Sequence, residues 1–376
     1  MADGAVRVAI IGWGFAGRTF HAPVIAWARA KDAGVRLVAV VSSQPKETVA
    51  AQLECYREAG DAPCLVLPSV DALVEAKDAW DVAVVTSPNE SHAALAARMV
   101  AAGRAVVVEK PLAVTVAEAE DVVRAVDGGA RVAVFQNRRW DGDFLRLKQL
   151  LAEGTLGAVR YVEMHFDRYR LEPRDRWRER DEPGAGLLHD LGPHLIDQAL
   201  LLFGSPSTIS AEVGMQRPNA KVNDFFHIVL AYDDGLRVVL HASILAATET
   251  PRFLVQGTKG SWAKYGLDGQ EAALRTHVAE IDGGAAGVPM SEWATAGREA
   301  QPATLATSDD GVTVHRQSDM MLEGAYWQFY KEMALHVRDP AKHSSPVRAH
   351  DALRTQKLIA LALASAASGR REPVSF

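Results

Sequence analysis

The chain is poor in cysteine, in long apolar runs and in excess positive charge, and each shortage excludes something. Of 376 residues only Cys55 and Cys64 are cysteines. They form neither a C-x-x-C pair nor a metal-ligand spacing, so no disulfide framework and no metal is expected, and a reducing, cytoplasmic setting fits. No apolar run approaches the roughly 18 residues of a membrane span; the nearest, Leu358 to Ala367, is too short. Acidic residues outnumber basic ones, 47 to 41, for a net charge of −6. That argues against a nucleic-acid partner, which calls for a basic footprint. Bases do gather in Arg168-Tyr169-Arg170 and from Arg174 to Arg180, but Glu172, Asp175, Glu179, Asp181 and Glu182 interleave with them, as in a solvated loop. The start, Met1-Ala2-Asp3-Gly4, runs directly into a strand and shows no signal peptide. The length suits about two domains.

What is present begins with Val6 to Ile11, an apolar run followed at once by Gly12-Trp13-Gly14-Phe15-Ala16-Gly17. This is G-x-G-x-x-G between a strand and a helix-like segment. The first glycine allows a tight turn, the second lets backbone approach a pyrophosphate, and the third lets helix and strand pack closely. The helix amino terminus then offers N–H groups to phosphate. Gly12, Gly14, Phe15, Ala16 and Gly17 are therefore expected to bind a dinucleotide.

The alternation continues with strands at Arg36–Val41, Cys64–Leu67, Val82–Thr86, Val106–Val108 and Val132–Phe135, and helices at Ser91–Ala102 and Thr115–Ala125. This predicts a parallel, doubly wound sheet. NAD-selective sites usually place Asp or Glu at the end of the second strand. Here the sequence is Ser42-Ser43-Gln44-Pro45-Lys46, with no carboxylate to repel a 2′-phosphate. Ser42, Ser43 and Lys46 thus favour NADP over NAD. After the fourth strand, Ser87, Pro88 and Asn89 are expected to flank the nicotinamide or its ribose, with Ser87 or Asn89 also able to cap the next helix; His92 reads as a helix-start residue and, with Glu109, is counted among the cofactor-binding candidates. Val106 to Val108 end in Glu109-Lys110-Pro111. Lys110 is either a solvated loop lysine or a cation at the sheet edge where α/β proteins bind ligands.

Beyond Phe135 the pattern changes. Gln136-Asn137-Arg138-Arg139-Trp140 is polar and sits at the ligand edge of the last strand, Phe144–Leu151 is helical, and β-type segments dominate from Val159 onward: Val159–Phe166, Ile209–Val213, Phe225–Tyr232, Leu236–Ser243 and Phe253–Gln256. Asp233-Asp234-Gly235 is a hairpin signal. A largely antiparallel sheet follows, closed by helices at Ala325–Val337 and Ala349–Ala367. Gly266 to Gln317 has no clear periodicity and reads as an unassigned excursion. The expected division is residues 1–136 as a dinucleotide-binding domain and 137–376 as an α/β substrate domain, with the last helix, 349–369, packing back on the first.

Within the second half, a glycine-rich turn enters Leu187-Leu188-His189-Asp190-Leu191-Gly192-Pro193-His194-Leu195-Ile196-Asp197. Pro193 suits the first turn of a helix. Asp190 and His194 are four apart, so a helical path brings them to one side. A carboxylate beside an imidazole orients it, and such a histidine can act as a general base. The plainer alternative makes Asp190 a helix cap and His194 a satisfied, half-buried residue.

Taken together, Gly12 to Gly17, Glu109-Lys110-Pro111 and Asp190-Leu191-Gly192-Pro193-His194 make the chain resemble the Gfo/Idh/MocA family of oxidoreductases over nearly its whole length. The style of Gln136 to Trp140 and of Asp190 to Gln198 is closest to NADP-linked scyllo-inositol dehydrogenase-like members. The resemblance implies a Rossmann domain followed by an α/β domain whose open sheet packs against another subunit, giving a homo-oligomer. It implies hydride transfer between NADP or NAD and a hydroxyl carbon of a sugar, inositol or related polyol. Lys110 would contact substrate and the nicotinamide end, and Asp190 and His194 would face the substrate hydroxyl. Asn137 is expected near the cofactor, and Arg138, Arg168, Trp177 and Asp197 near the substrate. Rival readings are a non-catalytic sugar or nucleotide sensor and a reductase of another carbonyl, dihydrodiol or imine.

Overall fold

A computed structural model describes residues 4–175, 177–285, 287–288, 292–293, 295–296 and 301–376, with the Trp177 side chain excluded. The chain divides into two compact units. One holds residues up to 140, with 269–296 and 325–353; the other holds 141–268, 297–324 and 354–376. A single boundary at residue 136 therefore does not describe the chain, which returns twice to the first unit. Of the last helix, Ala349–Ser368, only residues 349–353 belong to that unit.

The first unit opens with β1 (Val6–Ile11), α1 (Ala22–Ala30), β2 (Val35–Val41), α2 (Lys46–Leu53), β3 (Leu65–Leu67) and α3 (Val70–Glu75). It continues with β4 (Val82–Val85), α4 (His92–Ala101), β5 (Ala105–Glu109), α5 (Val116–Asp127) and β6 (Val132–Phe135). All six strands are parallel, in the order β3-β2-β1-β4-β5-β6. Strands β4, β5 and β6 are Val and Ala apart from the terminal Glu109 and Phe135, and all but Glu109 are buried, as a sheet covered on both faces requires. The strand order reverses between β1 and β4, and the carboxyl ends of these two strands and of β5 lie on the edge where such sheets take ligands. Helix α5 begins with a complete capping box between Thr115 and Glu118, which ends the Pro111–Val114 connection at a fixed place.

The two returning segments complete this unit. The helix Trp327–Arg338 sets Phe329 edge-on to Phe135, with ring centres 4.9 Å apart, and Tyr330 against His21. Part of the stretch left unassigned in the sequence is a helix, α8 (Gln270–Asp282), which buries Leu274 and His277. Its apolar positions are too sparse to give a clear helical period.

The second unit contains α6 (Gly142–Ala152), β7 (Val159–His165), α7 (Leu187–Phe203), β8 (Thr208–Gly214), β9 (Phe225–Ala231), β10 (Arg237–Ser243), β11 (Pro251–Gly257), β12 (Gly260–Tyr265), β13 (Ala303–Thr307), β14 (His315–Asp319) and β15 (Glu372–Pro373). They form one sheet in the order β14-β13-β12-β11-β7-β10-β9-β8-β15. Its pairings are antiparallel except β7 with β10. Helices cover one face: Phe144, Leu147, Leu195, Ile196, Leu358 and Ile359 share a core with Val162, Met164, Ile228, Val238, Leu240 and Val255. The alternate residues, among them Tyr161, Glu163, His165, His227 and His241, turn to the other face.

Candidate active site

In the first unit the three glycines do different work. Gly12 has φ +106°, and a Cβ there would lie 2.9 Å from Thr86 Oγ1 and 3.2 Å from the Ser87 nitrogen. A Cβ on Gly17 would collide with the Gly12 carbonyl oxygen, so this glycine lets the helix start sit on the turn. A Cβ on Gly14 would meet nothing within 4 Å. The turn is thus closed at its two ends and open in the middle, the shape a pyrophosphate needs. The first helical bond runs from the Arg18 N–H to the Gly14 oxygen, 3.1 Å, leaving the Phe15, Ala16 and Gly17 amides ahead of it at the helix start. Residues Gly17–His21 make one wide turn before α1.

Thr86 clamps this loop. Its hydroxyl donates to the Gly12 oxygen at 2.7 Å, and its N–H donates to the Ile11 oxygen at 2.9 Å. Gln44 performs a similar task from the second strand: its Nε2 donates to the Trp13 oxygen at 3.0 Å. Neither residue stood out in the sequence, because a polar side chain bonded to a neighbouring loop leaves no local pattern. Ser43 and Lys46 are exposed, and Ser42 Oγ accepts the Gln44 N–H at 3.1 Å. The described residues that follow β2, Ser42 to Lys46, include no carboxylate.

The Ser87–His92 segment departs from expectation. Helix α4 begins at His92, and neither Ser87 nor Asn89 caps it. Ser87 Oγ instead meets Ser91 Oγ at 2.5 Å, and Ser91 Oγ donates to the Pro88 oxygen at 2.7 Å. His92 does start the helix, but its ring is buried, with Nδ1 2.7 Å from the Pro111 oxygen and Nε2 2.9 Å from the Ser87 oxygen. Its ring ties two edge loops together, one after β4 and one after β5.

Glu109 is likewise turned inward. Its Oε2 accepts the Lys110 N–H at 2.9 Å, and its Oε1 lies 3.0 Å from His21 Nε2. His21 is fully buried, and its Nδ1 meets the Tyr330 hydroxyl at 2.6 Å. A relay from Tyr330 through His21 and Glu109 thus fixes the backbone that carries Lys110. Burial alone would raise the Glu109 carboxyl, but the His21 hydrogen bond and the nearby His21, Lys110 and His92 charges bring it below its ordinary value. Burial, and then Glu109, push the Tyr330 hydroxyl well above its ordinary range. His21 and Tyr330 are 309 residues apart, and no sequence pattern joins them. Asn137 and Arg138 are buried, and Arg138 pairs with Glu271 of α8. The expected substrate role of Arg138 is thus set beside a structural one.

In the second unit α7 starts at Leu187, so Pro193 lies inside the helix and not in its first turn. The start is set from outside. Leu187 N–H donates to the Asn223 oxygen and Leu188 N–H to Asn223 Oδ1, both at 2.8 Å. Gly186 at φ +95° passes so close to Asn223 that a Cβ would be 2.5 Å from it. Asp190 and His194 fall one turn apart on α7. Asp190 lies 3.2 Å from Arg178 Nε, and the His194 ring packs near Phe166, centres 6.3 Å apart. Asp197 is buried at 2% exposure, so it does not extend a polar face. Arg168 is exposed, with its N–H bonded to the Ser243 oxygen. The side chain of Trp177 lies outside the described residues.

The arginine-rich loop before α7 is not simply solvated. Glu179 is buried and pairs with Arg170 at 2.6 Å and Arg217 at 3.1 Å, and accepts the Arg174 N–H at 3.0 Å. Arg217 pairs in turn with Asp224 at 2.9 Å. Each buried charge has a partner, as burial demands. Among the described residues no helix is long and apolar enough to cross a membrane.

The parallel sheet, its reversal point and its open glycine turn define a dinucleotide-binding protein. Residues 6–136 match the family described as "Oxidoreductase family, NAD-binding Rossmann fold", and residues 144–263 match "GFO/IDH/MocA C-terminal domain". The uncharacterized oxidoreductase YdgJ of Escherichia coli is 38% identical over 96% of both chains. The scyllo-inositol 2-dehydrogenase (NADP(+)) IolW of Bacillus subtilis is 32% identical over 97% of this chain and 95% of its own. A Yersinia pestis protein solved as a candidate oxidoreductase superposes with a TM-score of 0.86 at 39% identity, covering 100% of this chain and 99% of its own. The chain belongs to the Gfo/Idh/MocA family of NAD(P)-binding oxidoreductases.

Proposed function

We propose that the protein is an NADP-linked dehydrogenase of an inositol, sugar or related polyol, and that Lys110, Asp190 and His194 serve one substrate. The observation that carries this reading is the clamp on Lys110. A relay of three side chains holds its backbone at the carboxyl edge of β5, on the edge that also bears the open glycine turn. A chain that needed only a solvated loop lysine would not need that support.

Bound NADP would supply the hydride acceptor. Gly12, Gly14, Phe15, Ala16 and Gly17 would take its pyrophosphate, Ser42, Ser43 and Lys46 its 2′-phosphate, and Ser87, Pro88, Asn89 and Asn137 its nicotinamide half. His194 takes the substrate hydroxyl proton, Asp190 orients that imidazole or binds a neighbouring hydroxyl, and Lys110 lowers the energy of the developing alkoxide. Arg168, Trp177 and Asp197 are the further substrate candidates. Among the described residues the nine-stranded sheet carries helices on one face, which supports a homo-oligomer through its other face.

The test is purified protein with NADP or NAD and a panel of inositols and sugars, followed by absorbance of the reduced nicotinamide. Turnover with a lower KM for NADP is expected. Positioned proton transfer is worth ~10²–10⁴-fold, so His194→Ala should lower kcat at least ~100-fold with cofactor affinity retained, and Lys110→Ala similarly. Tight NADP binding without turnover on any substrate would favour a sensor, and a tenfold preference for NAD would overturn the cofactor assignment.

A further inference from the structure

We propose that His165, Asp167 and His241 form a binding site for one divalent transition-metal ion of the zinc class, on the face of the nine-stranded sheet opposite its helical core. The three residues each offer one ligand atom, and these atoms all lie within 4.8 Å of one another. His165 ends β7, His241 lies directly opposite it on β10, and Asp167 follows two residues beyond His165. His165 Nδ1 is 2.9 Å from Asp167 Oδ2, and His241 Nε2 is 3.5 Å from Asp167 Oδ1. Bonds of about 2.0–2.2 Å to nitrogen and oxygen put tetrahedral ligand atoms roughly 3.4 Å apart. The approaches of the two imidazoles to the carboxylate, 2.9 and 3.5 Å, are close to that spacing, and three protein ligands would leave a fourth position for water.

The surroundings are those of a ligand set. Glu163 Oε2 stands 3.0 Å from His165 Nε2, so the outer nitrogen of that ring has a carboxylate to donate to and the inner one keeps its lone pair for a metal. His227 Nδ1 lies 3.4 Å from His241 Nδ1 and holds that ring with its Nε2 toward Asp167. The Asp167 carboxylate is itself oriented by the Thr250 hydroxyl and the Ser243 N–H, each at 2.8 Å. Two imidazoles and one carboxylate are borderline donors, suited to zinc and its first-row neighbours and ill suited to calcium or magnesium, which prefer oxygen cages. All seven residues lie in the second unit, so the site does not depend on the dehydrogenase reading.

The experiment uses untagged, full-length protein stripped with a chelator and dialysed free of it. Zinc is titrated calorimetrically, and cobalt(II) is added in parallel for its visible d–d absorption. One equivalent per chain, a tetrahedral or five-coordinate cobalt spectrum, and at least a tenfold weaker affinity in Asp167→Asn and in His241→Gln would support the site. Glu163→Gln, which spares the ligands, should weaken binding roughly 10–100-fold, as loss of an outer partner does. Zinc at a hundred times its Kd should raise the Tm by about 5 °C or more in the unmodified protein, and by none in the His165→Asn/His241→Asn variant. Failure of the unmodified protein to take up a stoichiometric ion, or undiminished uptake by the double variant, would overturn the proposal whatever the folding of any variant.

Discussion

Glu109 shows how one side chain sets the position of another. Its folded carboxyl sits below the ordinary value because the His21 bond and neighbouring positive groups outweigh its burial. The stability this contributes is present above the ordinary carboxylate range and is lost as pH falls through the depressed value. Glu109→Gln should therefore lower the urea midpoint at neutral pH, and the difference from the parent should close as the pH falls below the ordinary carboxylate range. A constant difference across that range would show that the charge is not involved. Ser43 offers a separate test of cofactor choice. A carboxylate at the end of β2 repels a 2′-phosphate, so Ser43→Asp should raise the KM for NADP about tenfold or more and spare NAD. Equal effects on both cofactors would argue that the 2′-phosphate lies elsewhere. The absence of a carboxylate from Ser42 to Lys46 is readable in the sequence; the Thr86 and Gln44 bonds that hold the same loop are not, because each joins residues over 30 apart.

At the scale of elements, the glycine turn separates packing from binding. Gly17→Ala should destabilise the fold, since its Cβ would meet the Gly12 carbonyl; Gly14→Ala should fold normally and lose cofactor affinity. Thermal melts beside fluorescence titration with NADPH would distinguish them, and a Gly14→Ala variant that melts as early as Gly17→Ala would contradict the assignment of roles. The strands of the first sheet were legible because each is a short, mostly β-branched or aliphatic run, broken only by Arg7 in β1, Arg36 in β2 and Glu109 at the end of β5. Helix α7 was legible only in part. Its Asp190–His194 spacing survives, but its start at Leu187 is imposed by Asn223, 35 residues away, while Pro193 suggested a later beginning. The strand β12 and helix α8 went unread because Gly260, Gly266 and Gly269 break up short segments with few apolar positions.

For the whole molecule, assembly depends on the second sheet. A sheet with helices on one face alone should associate, so light scattering should give a mass above that of one chain. Phe225→Arg, on the uncovered face of β9, should shift it toward the monomer; a monomeric parent would remove the oligomer from the reading. Residues 1–136 contain the whole parallel sheet but lack Phe329 and Tyr330, which pack on Phe135 and His21. That fragment should give no cooperative thermal transition by circular dichroism, and a sharp one would show the later segments to be dispensable.

Those later segments also bear on synthesis. The partners of His21 and Phe135, Tyr330 and Phe329, are made only after the whole parallel sheet and most of the second sheet. Until then the nascent dinucleotide half keeps an apolar flank uncovered, so a chaperone that shields such flanks would act on it early, and a polypeptide stalled anywhere in the second half would be a substrate for proteolysis rather than a working half-enzyme.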